Sequence, residues 1–185
     1  MIETLRTSRL LLRPLAPGDW QDVLAYASDS DVMRYLPGNV MSAEQVQAFI
    51  AEHQPTAGAL AAVLPAEGRL IGHLTFHPWY APHIYEIGWV LHPRYHGQGY
   101  ATEAALALFR YGFETLDLHR IIATCQPENV ASWRVMEKLG MLREAHFRKV
   151  FLVDETTWLD EYLYAMLEEE WFARAEAGSP AAGEG

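Results

Sequence analysis

The chain has little cysteine, few basic residues and no long apolar stretch, and each shortage excludes a class of protein. A single cysteine, Cys125, cannot form a disulfide within one chain, which excludes a disulfide-stabilised scaffold. Lys and Arg number 14 against 24 Asp and Glu, so a nucleic acid, which needs a basic surface, is not expected as a partner. No apolar run approaches the roughly 18 residues of a membrane span, and the N-terminus lacks a charged-then-apolar signal. The composition therefore predicts a cytoplasmic protein that binds neither membrane nor nucleic acid.

What the chain does contain indicates one folded domain. Half of its 185 residues are hydrophobic and 12% are aromatic, which is enough to build a core. We predict a single domain over residues 1–172 and a disordered tail over residues 173–185, which are rich in Ala, Gly and Glu. The net charge of −10 would attract amines, polyamines or basic peptides without identifying any of them.

Periodicity places the main elements. Residues 84–91 are predicted to form a strand, residues 100–118 an amphipathic helix, and residues 130–139 a second helix that ends at Gly140. Residues 29–39, which begin with Asp-Ser-Asp and end with Gly-Asn, are predicted to form a loop.

The most informative segment, residues 85–104, reads as a strand, a basic turn and the start of a helix. Gly97 and Gly99 lie in the turn, two residues apart. Such a turn directs several backbone N–H groups and the positive end of a helix dipole at one point, and glycine lets an anion approach the backbone closely. The segment therefore predicts a phosphate or pyrophosphate site.

Three phosphate-binding patterns compete for this segment. A mononucleotide P-loop needs four residues between its glycines and a Lys-Ser/Thr pair, which are absent. A dinucleotide fingerprint needs Gly or Ala where Thr102 stands, and an acidic residue about twenty positions on, where residues 120–123 carry none. The pattern Arg/Gln-x-x-Gly-x-Gly/Ala is met by Arg94, Gly97 and Gly99.

That third pattern resembles the acyl-CoA pyrophosphate loop of the GNAT superfamily of N-acetyltransferases. Residues 129–141 resemble the Asn-x-x-Ser and Glu-Lys-Leu-Gly-Phe segment of the branch that acetylates ribosomal-protein N-termini, the RimJ/RimL-like branch. Residues 7–15 resemble that branch's opening strand, and residues 158–160 with Tyr164 resemble its closing strand. The likeness covers about residues 7–171 in the family's order.

The resemblance implies an α+β fold, with a central, mostly antiparallel sheet of about six or seven strands and about four helices. Two central strands are expected to splay apart so that the pantetheine arm of the cofactor enters the gap like an extra strand. The implied activity is transfer of acetyl from acetyl-CoA to a primary amine, by direct attack in a ternary complex. Many relatives are dimers, so a homodimer is compatible with the resemblance. No metal is expected, because the family chemistry needs none and His73 and His77 lack a third ligand at suitable spacing.

Cofactor contacts are expected from the end of the strand, the loop and the first helical turn. The resemblance assigns pantetheine to Val90 and Leu91, and pyrophosphate to backbone N–H groups from His96 to Ala101. The predicted cofactor-binding residues are Val90, Leu91, Arg94, His96, Gly97, Gln98, Gly99, Tyr100, Ala101, Asn129 and Ser132.

Asn129 and Ser132 each have two interpretations. Asn129 is an ordinary helix N-cap residue, and by resemblance its side chain also contacts pantetheine. Ser132 lies on the apolar face of its helix, where it either packs against the preceding turn or donates to the CoA sulfur. Many GNAT enzymes carry a tyrosine general acid at the position of Met136. A thioether holds no proton, so Ser132 is the replacement that the resemblance suggests.

Glu86 is the first candidate for the general base. It interrupts an apolar strand on the same face as Val90, where a carboxylate needs water, a charged partner or a substrate ammonium. The plainer interpretation is a salt bridge to a neighbouring strand. Glu144 is the rival, because it matches an acid in the branch pattern.

Two classes of function remain open. One is the acetyltransferase, whose acceptor is a protein or peptide N-terminal α-amine or a small amine; polyamine and aminoglycoside enzymes are related alternatives. The other is a non-catalytic module that binds or senses acyl-CoA, which the missing tyrosine favours and the retained Glu86 and Ser132 oppose.

Overall fold

The computed structural model describes residues 4–36, 38, 40–53, 58–152 and 156–178. The strands of its single sheet are β1 (Leu5–Arg6), β2 (Leu11–Pro14), β3 (Ala59–Leu64), β4 (Arg69–Pro78), β5 (Ile84–Leu91), β6 (Arg120–Cys125), β7 (Leu142–Leu152) and β8 (Trp158–Leu167). They lie in the order β1-β2-β3-β4-β5-β6-β8-β7. All neighbouring pairs are antiparallel except β5 and β6, which are parallel.

Helices cover both faces of the sheet. The described residues contain α1 (Trp20–Ala27), α2 (Ser30–Met33), α3 (Ala43–His53), α4 (Tyr100–Glu114), α5 (Val130–Leu139) and α6 (Glu168–Gly178). None of these helices is long and apolar enough to cross a membrane.

Strand alternation in β5 defines the two faces. Ile87 and Leu91 belong to the apolar cluster that contains Phe109 of α4. Val90 packs instead against the cluster that contains Tyr26 of α1. We call these the α4 face and the α1 face. Because parallel strands need a long crossover, α4 connects β5 to β6 across its own face of the sheet.

The predicted fold class is confirmed, with eight strands and six helices among the described residues where about six or seven strands and four helices were expected. β5 and α5 have the predicted bounds, and Gly140 ends α5 with a φ of +76°.

Two predicted element boundaries are wrong. α4 ends at Glu114 rather than near Leu118, because Asp117 has a φ of +53°, which a right-handed helix cannot accommodate. The predicted loop over residues 29–39 contains the short helix α2, which Asp29 caps by accepting a hydrogen bond from the N–H of Asp31 at 2.9 Å.

Regular secondary structure also continues beyond residue 172, the predicted end of the domain. Helix α6 continues to Gly178, so residues 173–178 are helical where a disordered tail was predicted. Trp171 of this helix stacks on Phe113 of α4, with ring centroids 5.7 Å apart, which attaches α6 to the α4 face. The rest of the predicted tail, residues 179–185, lies outside the described residues.

Candidate active site

The turn between β5 and α4 contains both glycines of the predicted phosphate site. A short 3-10 turn over Pro93–Tyr95 follows the strand, and Gly97 and Gly99 then adopt φ values of +72° and +83°. The first hydrogen bond inside α4 runs from the N–H of Glu103 to the carbonyl of Gly99. The preceding N–H groups of the first turn have no partner within the helix and lie at its positive end. A Cβ added at Gly97 would meet no atom within 4 Å, so the surface here is open.

Two predicted cofactor residues use their side chains to hold the loop itself. Nε2 of His96 lies 2.8 Å from the carbonyl oxygen of Leu91, and Nε2 of Gln98 donates to the carbonyl of Arg94 at 2.9 Å. The backbone N–H of His96 is also occupied, because it donates to the carbonyl of Pro93 at 3.0 Å, so His96 does not supply the N–H group that was predicted to contact the pyrophosphate. Arg94 is largely exposed, 4.0 Å from Glu67, so it lies at the rim of the loop.

Arg9 also belongs to this loop, and the sequence analysis assigned it no role. Its Nη1 donates to the carbonyl of Gln98 at 3.0 Å, and its guanidinium carbon lies 4.3 Å from the ring centroid of Tyr100. The carboxylate of Glu103 accepts from Arg9 Nε at 2.6 Å and from the Thr7 hydroxyl at 2.5 Å. Partial burial would raise the pKa of Glu103, but these hydrogen bonds outweigh it and lower the pKa below its usual value.

Strands β5 and β6 separate as the resemblance implies. Their pairing covers Ile84 to Glu86 on β5 and stops at the pair Glu86–Ile122, although β5 continues to Leu91. Over this stretch β5 stays paired with β4 on its other side, with Val90 opposite His73. We call the turn that contains Gly97 and Gly99 the glycine loop. The gap between β5 and β6 extends from this loop to Glu86, and at the usual rise per strand residue it is about 16 Å long.

Helix α5 begins beside this gap. Asn129 caps it, its Oδ1 accepting from the N–H of Ser132 at 3.2 Å, as predicted. The hydroxyl of Ser132 lies near the thiol of Cys125 at the end of β6, which neither earlier interpretation of Ser132 foresaw. Met136 is almost fully buried, so it packs against the core and supplies no acid.

Cys125 is held as a neutral thiol. Burial raises its pKa to about 12, and hydrogen bonds from Ser132 and the N–H of Trp133 only partly oppose that rise. A thiol with this pKa is a poor nucleophile at neutral pH. The buried position of Cys125 agrees with the predicted unreactive core thiol.

Glu86 lies at the closed end of the gap. It is the last β5 residue paired with β6, and the exposed His77 of β4 is its cross-strand neighbour. Its Oε1 accepts a hydrogen bond from the hydroxyl of Thr124 on β6 at 3.3 Å. The described residues give Glu86 no salt bridge, so the plainer interpretation from sequence does not account for it.

Glu144 is not brought to this site, which corrects its assignment as a catalytic residue. It forms an ion pair with Arg120, whose guanidinium hydrogen-bonds both carboxylate oxygens. Strand β7 lies three strand spacings from β5, about 14 Å at the usual interval. The residue that does lie near Glu86 is Glu161 of β8, which the sequence analysis overlooked because β8 follows β5 by about seventy residues.

The α1 face supplies further polar groups near the gap. The hydroxyl of Tyr26 lies 2.7 Å from Nδ1 of His73. Tyr35, which follows α2, donates to the carbonyl of Glu128 at 3.4 Å and so links α2 to the turn before α5. Trp79 follows the end of β4 that is remote from the glycine loop.

The arrangement fits an extended ligand with an anionic end. Its phosphates would meet the N–H groups of the loop, its arm would occupy the gap, and its reactive end would reach Glu86 and Ser132. Histidine, cysteine and carboxylate side chains form no cluster of three or more suited to a metal within residues 4–36, 38, 40–53, 58–152 and 156–178.

Comparison with known proteins agrees with this geometry. Residues 9–142 match the family model described as an acetyltransferase (GNAT) domain. An uncharacterised N-acetyltransferase of Bacillus subtilis (strain 168), YnaD, is 49% identical over 168 residues, which cover 90% of this chain and 98% of that protein. The crystal structure of a GNAT-family acetyltransferase from Bacillus anthracis superposes with a TM-score of 0.88 and 48% identity, covering 91% of this chain and all of that one. The Escherichia coli (strain K12) [ribosomal protein uS5]-alanine N-acetyltransferase is 30% identical over 89 residues, 48% of this chain and 45% of that protein.

The chain belongs to the GNAT family and is an acetyltransferase. The family model matches well over half of its length, and the glycine loop, the gap and the start of α5 all lie within the matched residues.

Proposed function

We propose that the protein transfers an acetyl group from acetyl-CoA to a primary amine by direct attack within a ternary complex. One observation carries the proposal: the open N–H groups of the glycine loop lie at the mouth of the β5–β6 gap, and Glu86 lies at its closed end. A cofactor held by phosphates at the loop would thus present its thioester near a carboxylate.

The residues divide into those that hold the cofactor and those that act on the reacting atoms. The backbone N–H groups from Gly97 to Ala101 would hold the pyrophosphate, with the guanidinium of Arg9 beside them. Val90 and Leu91 would pair with the pantetheine arm on the side of β5 that β6 leaves free. Asn129 would contact the same arm while capping α5.

In the reaction, the acceptor R–NH₃⁺ first loses a proton to Glu86, directly or through a water. The nitrogen lone pair then forms a bond to the thioester carbonyl carbon, and the carbonyl oxygen becomes an oxyanion. Collapse of this intermediate breaks the C–S bond, and the CoA thiolate takes the second amine proton, leaving an N-acetyl amide. A backbone N–H near Val90 would stabilise the oxyanion, and the Ser132 hydroxyl would donate to the thiolate.

For the acceptor, we propose the RimJ/RimL-like class, with a protein or peptide N-terminal α-amine or a small amine as substrate. The support is the partial identity with the enzyme that acetylates the alanine of ribosomal protein uS5, together with the segments shared with that branch. The net charge of −10 favours a cationic acceptor over an anionic one.

A non-catalytic acyl-CoA-binding module is the second candidate, because the buried Met136 occupies the position of the family's tyrosine acid. The two candidates differ in turnover and not in binding.

Calorimetric titration with acetyl-CoA, CoA and NAD comes first, and micromolar binding of acetyl-CoA without NAD binding is expected. Release of CoA is then measured with a panel that holds an alanine-initiated peptide, spermidine and an aminoglycoside. Binding without amine-dependent release would favour the module, and absence of acetyl-CoA binding would contradict both candidates.

A further inference from the structure

Two polar or charged residues are buried in the described part of the chain, Asp19 and Gln126. Asp19 is fully paired, because Arg13 donates to both of its carboxylate oxygens at 2.7 Å and the N–H of Ala16 donates to Oδ2 at 2.7 Å. Gln126 is only 3% exposed, yet none of the described residues hydrogen-bonds its side-chain amide. An amide in this position meets only water or a ligand.

The amide of Gln126 is the accessible part of the residue. Every side-chain nitrogen or oxygen of the described residues that is shut off from solvent has a hydrogen-bond partner. Because the amide of Gln126 has no partner, its nitrogen and oxygen must both reach open space. Gln126 is therefore an enclosed side chain whose end offers an unpaired donor and an unpaired acceptor.

The open space beside Gln126 is the gap between β5 and β6. Glu86 pairs with Ile122 at an offset of 36 positions, and the same offset from Gln126 leads back to Val90. Gln126 directly follows β6 and thus lies level with Val90, across the gap from it. Its backbone is fixed there, because its carbonyl accepts from the N–H of Asn129 at 3.0 Å.

Strand alternation puts Gln126 on the same face as Glu86. The hydroxyl of Thr124 donates to Glu86 at 3.3 Å on the α1 face, whereas Cys125 belongs to the apolar cluster of the α4 face. The side chain of Gln126 is next in this alternation and faces the α1 side. It lies two residues beyond Thr124, which is about 7 Å along the strand.

This orientation separates the amide from the cofactor arm. Strand side chains stand roughly perpendicular to their sheet, whereas an arm that enters the gap like an extra strand lies in the plane of the sheet. The amide of Gln126 is therefore off that plane, on the side where Glu86 would meet the acceptor amine. Tyr35, which donates to the carbonyl of Glu128, lies over the same turn and helps to enclose this space.

We propose that the amide of Gln126 hydrogen-bonds one of the first two peptide bonds of the acceptor, which is a peptide α-amine and neither a polyamine nor an aminoglycoside. The inference rests on the proposed function and narrows its acceptor. A peptide extends about 3.5 Å per residue, so a peptide with its α-amine at Glu86 brings these bonds level with Gln126. A peptide bond offers one N–H and one C=O, which match the C=O and NH₂ of the glutamine amide. A polyamine offers donors alone and would leave the NH₂ unpaired.

Gln126→Met tests the contact, because it keeps an unbranched side chain and removes the amide. With an alanine-initiated peptide it should raise KM by about ten-fold and leave kcat within about two-fold, since the contact binds the ground state and the transition state alike. The Kd of acetyl-CoA should stay unchanged. A weaker Kd of acetyl-CoA with an unchanged peptide KM would assign the amide to the pantetheine arm and overturn the inference. Gln47→Met makes the same replacement at an exposed site on α3 and should alter neither value.

Peptides in which an ester replaces the first or the second peptide bond locate the contact. An ester keeps the shape of the bond and lacks its N–H. One of the two esters should bind wild type about ten-fold more weakly than the parent peptide does, and Gln126→Met should remove most of that difference. Calorimetry on protein loaded with CoA gives these affinities without turnover. Esters that lose equal affinity in both proteins, or a parent peptide that does not bind, would overturn the inference.

Thermal unfolding separates recognition from a structural role. Because the amide has no protein partner, Gln126→Met should unfold at the same temperature as wild type or at a higher one. A lower unfolding temperature with an unchanged peptide KM would show that the amide serves the fold, which overturns the inference. Transfer to spermidine or an aminoglycoside but not to the peptide would also overturn it and leave the acetyltransferase intact. Bound acetyl-CoA without turnover on any amine would instead contradict the proposed function, and calorimetry would still decide the peptide contact.

Discussion

Arg9 and Glu103 are 94 residues apart in the chain, and Nε of Arg9 donates to Oε2 of Glu103 at 2.6 Å. The same guanidinium reaches the carbonyl of Gln98 and lies against the ring of Tyr100. The contact fixes the segment before β2 to the first turn of α4. It thereby places a cation beside the N–H groups that would receive the cofactor's phosphates.

Replacing Arg9 should therefore weaken cofactor binding more than it weakens the fold. Arg9→Gln removes the cation and should lower acetyl-CoA affinity by about five-fold, because a partly exposed charge contributes on the order of 1 kcal/mol. Calorimetry at low and high salt checks this, and the loss should shrink at high salt. Arg6→Gln removes an exposed arginine from the neighbouring strand β1 and is the matched control. Equal affinities of the two variants would exclude Arg9 from the site.

The glycine loop gives the sharpest test of cofactor placement. Gly97→Val puts a branched side chain where phosphate is expected and should reduce acetyl-CoA affinity by more than about ten-fold, since the backbone could no longer approach the anion. Positive φ alone should cost about 1–2 kcal/mol of folding stability. Gly68→Val shares the positive φ, +64°, and the open surroundings but lies in the β3–β4 turn. It should lose similar stability in thermal unfolding and keep its affinity. If Gly97→Val binds acetyl-CoA normally, the loop is not the phosphate site.

Ser132 should matter for turnover more than for binding. Ser132→Ala removes the hydroxyl donor to the thiolate and should lower kcat by about ten-fold or more, with little change in the Kd of acetyl-CoA. Because Ser132 lies near Cys125, a packing role is the alternative. Cys125→Ala separates the two: a matching fall in kcat would indicate that Ser132 acts through the thiol and its packing. Stopped-flow measurement of CoA release provides the rates.

Replacement by glutamine should slow the reaction at Glu86 and have little effect at Glu144. Glu86→Gln removes the proposed proton acceptor and should flatten the rise of rate with pH, with kcat/KM lower by about 100-fold at neutral pH. Glu144→Gln removes only the carboxylate that pairs with Arg120, and its rates should stay within about two-fold of wild type. Full pH–rate profiles of both variants provide the check. A flattened pH–rate profile in Glu144→Gln would indicate that Glu144 takes part in proton removal.

His73 should make the folded state sensitive to mild acid. Burial, with a smaller contribution from the charge of His53, lowers its pKa from 6.5 to about 4. Between these values the unfolded chain binds more protons than the folded chain, so stability falls as pH drops from 6.5 towards 4. The loss should reach at most roughly 3 kcal/mol. Denaturant unfolding across this range should show the loss in wild type and lack it in His73→Gln. His77→Gln alters an exposed histidine on the same strand and should retain the loss.

Local sequence patterns were sufficient to predict the structure where residues close in the chain determine the backbone conformation. The alternation of β5, the cap at Asn129 and the glycine at the end of α5 depend on residues at most a few positions apart, and the structure has all three as predicted. The end of α4 depends instead on the left-handed conformation of Asp117. A helical pattern does not reveal such a residue, because the hydrophobic spacing continues through Leu118.

By itself, the sequence determined the family, the glycine loop and the candidates Glu86 and Ser132, because motifs and strand periodicity are properties of neighbouring residues. Only the tertiary structure decided which charges meet. It placed Arg9 at the loop, paired Glu144 with Arg120, and brought Glu161 of β8 near Glu86 of β5. The reason is sheet topology: β6 lies between β5 and β8, and side-chain contacts between strands follow spatial order rather than chain order.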